Sequence, residues 1–576
     1  MKSLVVTYLF IALTIFINGC SINKSQKADL VLKNGFIYTV DSLNSKAESV
    51  AIKDGKIIYV GSDENISRII SDKTKVIDLN KRLVLPGFID AHCHPISSYR
   101  NFNELNLYGK KSIKEIQAAI KKYVTDHPEL KYLKGRGWSD TDFPSTGPDK
   151  KIIDEIIKDI PVSFSSDGGH SVWVNSKTLE LAGITKETKN ISGGVIERDP
   201  VTKEPTGTLR ENAADLVSNI FPVYTVEELM NGLEAYQKMA LAFGITTAHD
   251  AYLDAGSNET EAYRNLDYSK KLKMRFRASL YVDPENGTEQ IKFLNDERKK
   301  NNGSLFQTNS AKIFIDGVVE GSTAYLKEHY KHMPGNYGEL LWDINKLNKV
   351  CAELDENNFQ IHVHAIGDAA TFVTLNAFDF LEKQNGKRDS RNSITHLQLV
   401  DESDIIRFKK MGIIAITQPY WFMKDDYYYN LQVPYLGQKR ADEEYPMASF
   451  FKEGVVVASS SDYPVTIPCN PLEAIQIGIT RSKLNTTDPK EILWPEERVN
   501  LEQMIRSFTI NGAYANFLEN ETGSIEPGKK ADLIILDKNL FEIPVTEINQ
   551  VKVLMTLFEG ESVFTDSTFV FTKELH

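Results

Sequence analysis

Eight apolar, strand-like runs alternate with helical stretches along the middle of this chain, and that alternation restricts the fold more than any other feature. Strands joined through helical connections run parallel, because the helix makes the return trip. The runs are LVLPGFIDA from Leu83, ITTAHDA from Ile245, MRFRASLYV from Met274 and AKIFIDG from Ala311. They continue with FQIHVHA from Phe359, SITHLQL from Ser393, IIAITQP from Ile413 and VVVASSSD from Val455. An amphipathic stretch, MNGLEAYQKMALAFG, precedes the second run, and NKVCAELDENN precedes the fifth. Eight such units predict an α/β chain built on a (β/α)8 barrel, a fold whose chemistry gathers at the C-terminal strand ends.

Metal-ligating residue types sit at those ends. His92 and His94 follow the first run, His364 and His396 close the fifth and sixth, and Asp462 closes the eighth. Lys312 lies earlier in its run, with Asp316 at the tip on the same face. Side chains alternate along a strand, so His92 and His94 face one way and Cys93 the other. Two imidazoles on one face suit a first-row divalent metal. Taken singly, each of these histidines also fits a hydrogen-bonded core residue, and Asp462 a structural carboxylate.

Taken together, PGFIDAHCHP, GRGWSDTDFP, GHSVWVNSKTLELAGI, GITTAHDA, KIFIDG, VHAIGD, THLQLV, SSSDYPV and GSIEPGKKADLIILD resemble the amidohydrolase superfamily. The branch is similar to amidohydrolase family 3, which includes N-substituted formamide deformylase-like proteins. The resemblance runs from about Ala28 to about Phe564. It implies a metal-dependent hydrolase that cleaves an amide-type C–N bond of a small molecule with activated water. The implied ligands are His92, His94, His364, His396 and Asp462, holding one or two divalent ions, zinc by expectation. Lys312 would bridge two metals as a carboxylated lysine, since a free ammonium has no lone pair to offer; a structural or substrate-binding lysine is the alternative. Asp462 would also carry the proton. His170 would contact substrate or stabilise the transition state, and Gln418 and Trp421 are further candidates for substrate contact, with hydrogen-bonded support the alternative for Gln418. His362, His249, Asp250 and Glu211 are expected to support the site through hydrogen bonds, with His362 also an alternative ligand on the face of His364. Lactone, carbamate or ester cleavage on the same site, and a non-catalytic binding lipoprotein, stay open. Deamination is disfavoured, because the run from His364 to Asp368 lacks the glutamate that deaminases of the superfamily carry.

Both chain ends read as short strands with turn signals, and neither end alone has enough of them to bury a core. They are therefore expected to combine into one β-sandwich, from residues 28–82 and 516–576, flanking a barrel over 83–515. The stretch from about 96 to 230 is too long for one crossover and predicts an inserted subdomain over the mouth, with GGVIERDPVTKEPTGTLRENA as a hairpin or flap. A second loop, after the seventh run, holds Trp421, Tyr427, Tyr428, Tyr429 and Tyr435, which either line a pocket or pack the loop.

The N-terminus is a separate matter. Lys2 precedes an apolar stretch, LVVTYLFIALTIFI, of signal-peptide length, and INGC then resembles a bacterial lipoprotein processing site. The resemblance implies a signal peptide over 1–19, an acylated Cys20, a tether over 20–27 and an exported, lipid-anchored protein of the cell envelope, periplasmic or outer-membrane associated. Plain secretion is the alternative. Four cysteines leave at most one disulfide once Cys20 is lipidated. A net charge of −12 argues against nucleic acid as a partner. Membrane contact is expected through the lipid anchor only, the partner is a small amide-type molecule, and a homodimer is open.

Overall fold

Eight parallel strands form one sheet in chain order. They are β1 (Phe88–Cys93), β2 (Ile245–Leu253), β3 (Arg275–Tyr281) and β4 (Phe306–Phe314), then β5 (Gln360–Ala365), β6 (Ser393–His396), β7 (Ile414–Thr417) and β8 (Val457–Ser459). This computed structural model describes residues 27–191, 193–486 and 488–569. Cys20 and the signal segment 1–19 lie outside the described residues. No helix among the described residues is long and apolar enough to cross a membrane.

Hydrogen bonds along the upper rim carry the sheet from β8 round to β1. The Asp462 N–H donates to the His92 carbonyl at 2.8 Å, and the His94 N–H donates to the Tyr463 carbonyl at 2.6 Å. Asp90 adds its carboxylate, which accepts the Ser461 N–H at 2.9 Å and also the Ser461 hydroxyl. Lower down a helical segment wedges in. The Phe508 carbonyl takes the Ile89 N–H at 2.7 Å, and Gly512 lies so close to Ile89 that a Cβ would come within 3.0 Å of it. Every residue of β1, β5, β6, β7 and β8 is buried. Helices cover one face and packed side chains fill the other, so these strands are apolar runs rather than alternating ones.

Two boundaries differ from the sequence reading. Leu83–Pro86 is not part of the barrel; it pairs with Phe36–Tyr38 and Leu533–Leu536 in a sheet built by the chain ends. Strand β4 begins at Phe306, earlier than the run from Ala311 suggested, so Lys312 stands near its C-terminal end and not early in it. The polar stretch FQTNS hid the first half of that strand.

The chain ends form a six-stranded sheet and a four-stranded sheet. Leu30, Ile37, Val50 and Val84 pack there with Leu533, Ile535 and Leu557, so residues from both ends share one core. Arg275, at the foot of β3, ties the barrel to this unit through Asp532 and through Glu559 at 2.8 Å. Asp532 and Arg275 are fully buried, and removing one partner strands the other charge in a dry interior. Arg275→Met is therefore expected to destabilise the protein by about 3–5 kcal/mol in chemical denaturation. A loss below about 1 kcal/mol would show that the pair contributes only orientation.

The insertion folds as a six-stranded mixed sheet from Leu105 to Glu211. Trp138, Phe164 and Trp173 pack with Ile116 and Ile120 of the helix Ile113–Asp126. That helix opens on a reciprocal capping box between Ser112 and Glu115. The expected hairpin is present as Gly194–Arg198 against Pro205–Glu211, and it forms the edge of this sheet instead of a free flap. The loop after β7 is not open coil; it winds through the short helices Val433–Leu436, Gln438–Asp442 and Met447–Lys452. Cys93, Cys351 and Cys469 are free and buried.

Candidate metal centre

Strand alternation sets the first pair of side chains. Cys93 turns outward to the Tyr236 hydroxyl and the His249 carbonyl, while His92 and His94 turn to the barrel axis. The Nε2 atoms of His92 and His94 lie 3.4 and 3.3 Å from one oxygen, Oδ1 of Asp462. Ligand atoms of the three residues all fall within 4.8 Å of one another. His92 Nε2 and Asp462 Oδ1 are buried without a hydrogen-bond partner. Leaving two such atoms dry costs roughly 1–3 kcal/mol each, and a cation between them removes that cost. The donor set thus fits a divalent metal. Nδ1 of His92 is spent elsewhere, 2.5 Å from His362 Nε2, and His362 Nδ1 reaches the Ser393 hydroxyl at 2.9 Å. His362 accordingly fixes the ring of His92 from below, as an orienting partner does in metal sites.

The remaining candidates surround this trio. The His396 ring centre is 5.0 Å from that of His92 and 4.6 Å from that of His364. Lys312 is buried over the Phe314 ring, with no hydrogen bond or ion pair among the described residues. His396 and Asp462 have φ of 75° and 55°. Non-glycine residues adopt that region at a cost of about 1–3 kcal/mol, which active sites carry when placement demands it. Burial holds His92, His362 and His364 well below the ordinary histidine value and His396 down at about 3. Neutral imidazoles keep the lone pairs that ligation needs. Burial likewise brings the Lys312 amine down to about 7, against the opposing pull of Asp462.

Above the barrel mouth the insertion presents His170. Its Nδ1 lies 2.8 Å from Glu211, and its ring centre is 5.5 Å from that of His364. Glu211 is held in turn by the Thr323 hydroxyl at 2.8 Å. Burial pulls the His170 imidazolium down, but the carboxylates of Glu211, Glu320 and Asp462 outweigh it and raise the pKa to about 9. A step that uses the imidazolium is present below that pH and lost as pH rises through it. Glu211→Gln removes the strongest of these carboxylates and leaves only Glu320 and Asp462 against burial, so the alkaline limb of kcat/KM should move down from about pH 9. An unmoved limb would take His170 out of the reaction.

Other residues from the sequence reading fall differently. Gln418 does not face the cavity. It is fully buried, reaches His396 Nδ1 with its oxygen at 3.2 Å, and donates to Thr395 and Ser460. It positions His396 and is not placed to bind substrate. Asp316 is equally spent, accepting the backbone N–H groups of Tyr325, Ile366 and Gly367. Asp250 supports His94 from 3.9 Å, and His249 bonds Asn516 and Ser279. Trp421 does line a chamber of about 340 Å³, together with Tyr427. Tyr435 instead stacks on His332 and Tyr428 bonds Asp442. A second chamber of about 510 Å³ shares His170, His364, His396 and Asp462 with the first. Sequence reasoning missed Asp90, although alternation read backward from His92 and His94 points to it. It also missed Glu320, whose position beyond β4 carried no pattern.

Comparison with known proteins bears on the family and the fold. The profile of a family described as the amidohydrolase family matches residues 75–564. The protein LONG AFTER FAR-RED 3 of Arabidopsis thaliana is 31% identical, over 93% of this chain and 92% of that one. An N-substituted formamide deformylase of Arthrobacter pascens is 24% identical, over 93% and 98%. The crystal structure of an uncharacterized metal-dependent hydrolase from Pyrococcus furiosus superposes with a TM-score of 0.67 at 26% identity, covering 88% of this chain and 99% of that one.

Proposed function

This chain belongs to the amidohydrolase family of metal-dependent hydrolases, and on that premise we propose that it cleaves an amide-type C–N bond of a small molecule. The single observation that carries the reading is the pair of buried, unpartnered atoms, His92 Nε2 and Asp462 Oδ1, with His94 Nε2 beside them. Such an arrangement is costly without a cation and useful with one. The nitrogen-rich set favours zinc. His92, His94 and Asp462 would hold one ion, and His364, His396 and a carboxylated Lys312 would complete a site for a second. A bound ion supplies Lewis acidity, which lowers the pKa of water toward neutrality and polarises a carbonyl.

The chain's own groups do the rest. Asp462 accepts the proton of the attacking water on a carboxylate oxygen and returns it to the departing nitrogen, so no base has to diffuse in. His170, as imidazolium, donates to the oxygen on which negative charge gathers. Gln418 holds His396, and His362 holds His92, so the ligands need no rearrangement when substrate arrives. The deformylase relative acts, by its name, on N-substituted formamides, which supports the amide over an ester or a lactone. A lipid anchor at Cys20 would tether the enzyme to the cell envelope, in keeping with the apolar run and INGC that precede the described residues.

The test is direct. The chain from Ser21, purified without chelator, should contain one or two zinc-like ions per molecule. Chelation should abolish hydrolysis of an N-substituted formamide and N-acyl amine panel, and added metal should restore it. Equal turnover by metal-free protein would sink the mechanism. Cleavage of esters and lactones with every amide untouched would reassign the bond.

A further inference from the structure

Building on the hydrolase reading, we propose that the chamber beside His396 is a subsite for an alkylammonium group carried by the substrate. Its walls include the rings of Tyr108, Trp421, Tyr427 and Tyr445 and the carboxylates of Asp167 and Glu320. The Trp421 ring lies nearly parallel to His396, 14° off and 5.8 Å away, so the chamber opens directly from a candidate ligand. Its indole N–H is taken by Thr466 at 3.0 Å, which leaves the ring face as what Trp421 offers. Tyr445 stands 6.5 Å from it.

The charge of the walls decides what such a box prefers. Among the described residues no lysine or arginine lines the chamber. Tyr427 caps Asp167 with a hydrogen bond of 2.5 Å. Glu320 has no such cap: among the described residues no other side chain donates a hydrogen bond to it. It projects toward the roof, where a Cβ on Gly168 would stand 3.2 Å from its Oε1. His170, the cation that acts on Glu320, is already tied to Glu211 at 2.8 Å. A neutral aromatic group would satisfy the rings and leave Glu320, whose carboxyl burial pushes up to about 7, with only the shared His170 imidazolium for counter-charge. A quaternary alkylammonium satisfies both, since ring faces attract a cation that has no hydrogen bonds to give. The carboxylate therefore supplies discrimination, and the rings supply affinity.

The experiment uses the metal-loaded chain from Ser21 with choline and its neutral isostere 3,3-dimethyl-1-butanol as probes, read by calorimetry. Choline should bind at least about ten-fold tighter than the alcohol. Glu320→Gln should erase most of that preference while the alcohol's affinity stays within about two-fold. Trp421→Leu should weaken choline by about ten-fold, and it serves as the second variant if Glu320→Gln does not fold. The alcohol binding as tightly as choline, or a preference untouched by both substitutions, would overturn the proposal. Binding is read without turnover, so the two readings fail separately. Loss of the ammonium preference in an enzyme that still cleaves neutral amides removes only the subsite. A preserved preference in a metal-loaded protein that cleaves nothing removes only the hydrolase assignment.

Discussion

Asp462→Asn should lower kcat/KM by on the order of 10²–10⁴-fold, the range expected when a positioned proton carrier is removed. Asparagine is the right probe for two reasons. Its backbone tolerates the φ of 55° that residue 462 adopts, so the rim hydrogen bond from its N–H to the His92 carbonyl can persist. It also keeps an oxygen near His92 and His94 while losing the charge and the capacity to take a proton. Burial pushes the Asp462 carboxyl up, but His94, His396 and Lys312 more than offset this and hold it below its usual range. The carboxylate is thus ionised at neutral pH and ready to accept. The decisive measurement pairs kcat/KM with metal content. A variant that keeps its metal and loses turnover isolates the proton-carrying role. Activity within ten-fold of the parent would remove Asp462 from the mechanism.

Lys312→Met is expected to show opposite signs for stability and activity. The apo-protein buries an amine whose pKa falls from 10.5 to about 7. Between those values the unfolded chain binds the proton and the folded chain does not, so apo stability rises with pH across that window and is lost as pH falls toward about 7. Methionine fills the same space without a charge. It should raise the apo-protein's midpoint at neutral pH and flatten its pH dependence. The same change removes the group that carboxylation would convert into a metal bridge, so one metal equivalent should be lost and kcat should drop by on the order of 10²–10³-fold. Lys312→Ala opens a cavity in the same place, and acetate or formate in the buffer should restore part of its activity by supplying the missing carboxylate. Unchanged metal content in both variants would return Lys312 to a structural role.

The barrel was legible in the sequence because its strands are short apolar runs that end in polar residues of one chemical kind. His92, His94, His364, His396 and Asp462 are predicted from strand tips and do converge on one cavity. Partner choice was not legible. Gln418 and Asp316 sit at strand tips too, but what they bond depends on loops folded over them from elsewhere, a hydroxyl of Ser460 or the backbone of Gly367. Leu83–Pro86 reads as continuous with β1, since nothing short of the Pro86–Gly87 step marks where the chain passes from one sheet to another. Glu320 lies in a loop with no periodicity, and its significance comes from rings contributed by segments a hundred or more residues away on either side.

The shared core of the chain ends has a consequence for how the molecule is made. Leu83–Pro86 emerges from the ribosome beside Phe36–Tyr38, but its other neighbour, Leu533–Leu536, is translated only near the end. At about 5–20 residues per second that interval is roughly twenty seconds to a minute and a half. Through all of it the N-terminal sheet holds an open, apolar edge of the kind that recruits other chains. Synthesis thus produces a nearly complete barrel attached to an unfinished sheet. The last strands act as a closing seam, and a shielding chaperone matters most just before they arrive.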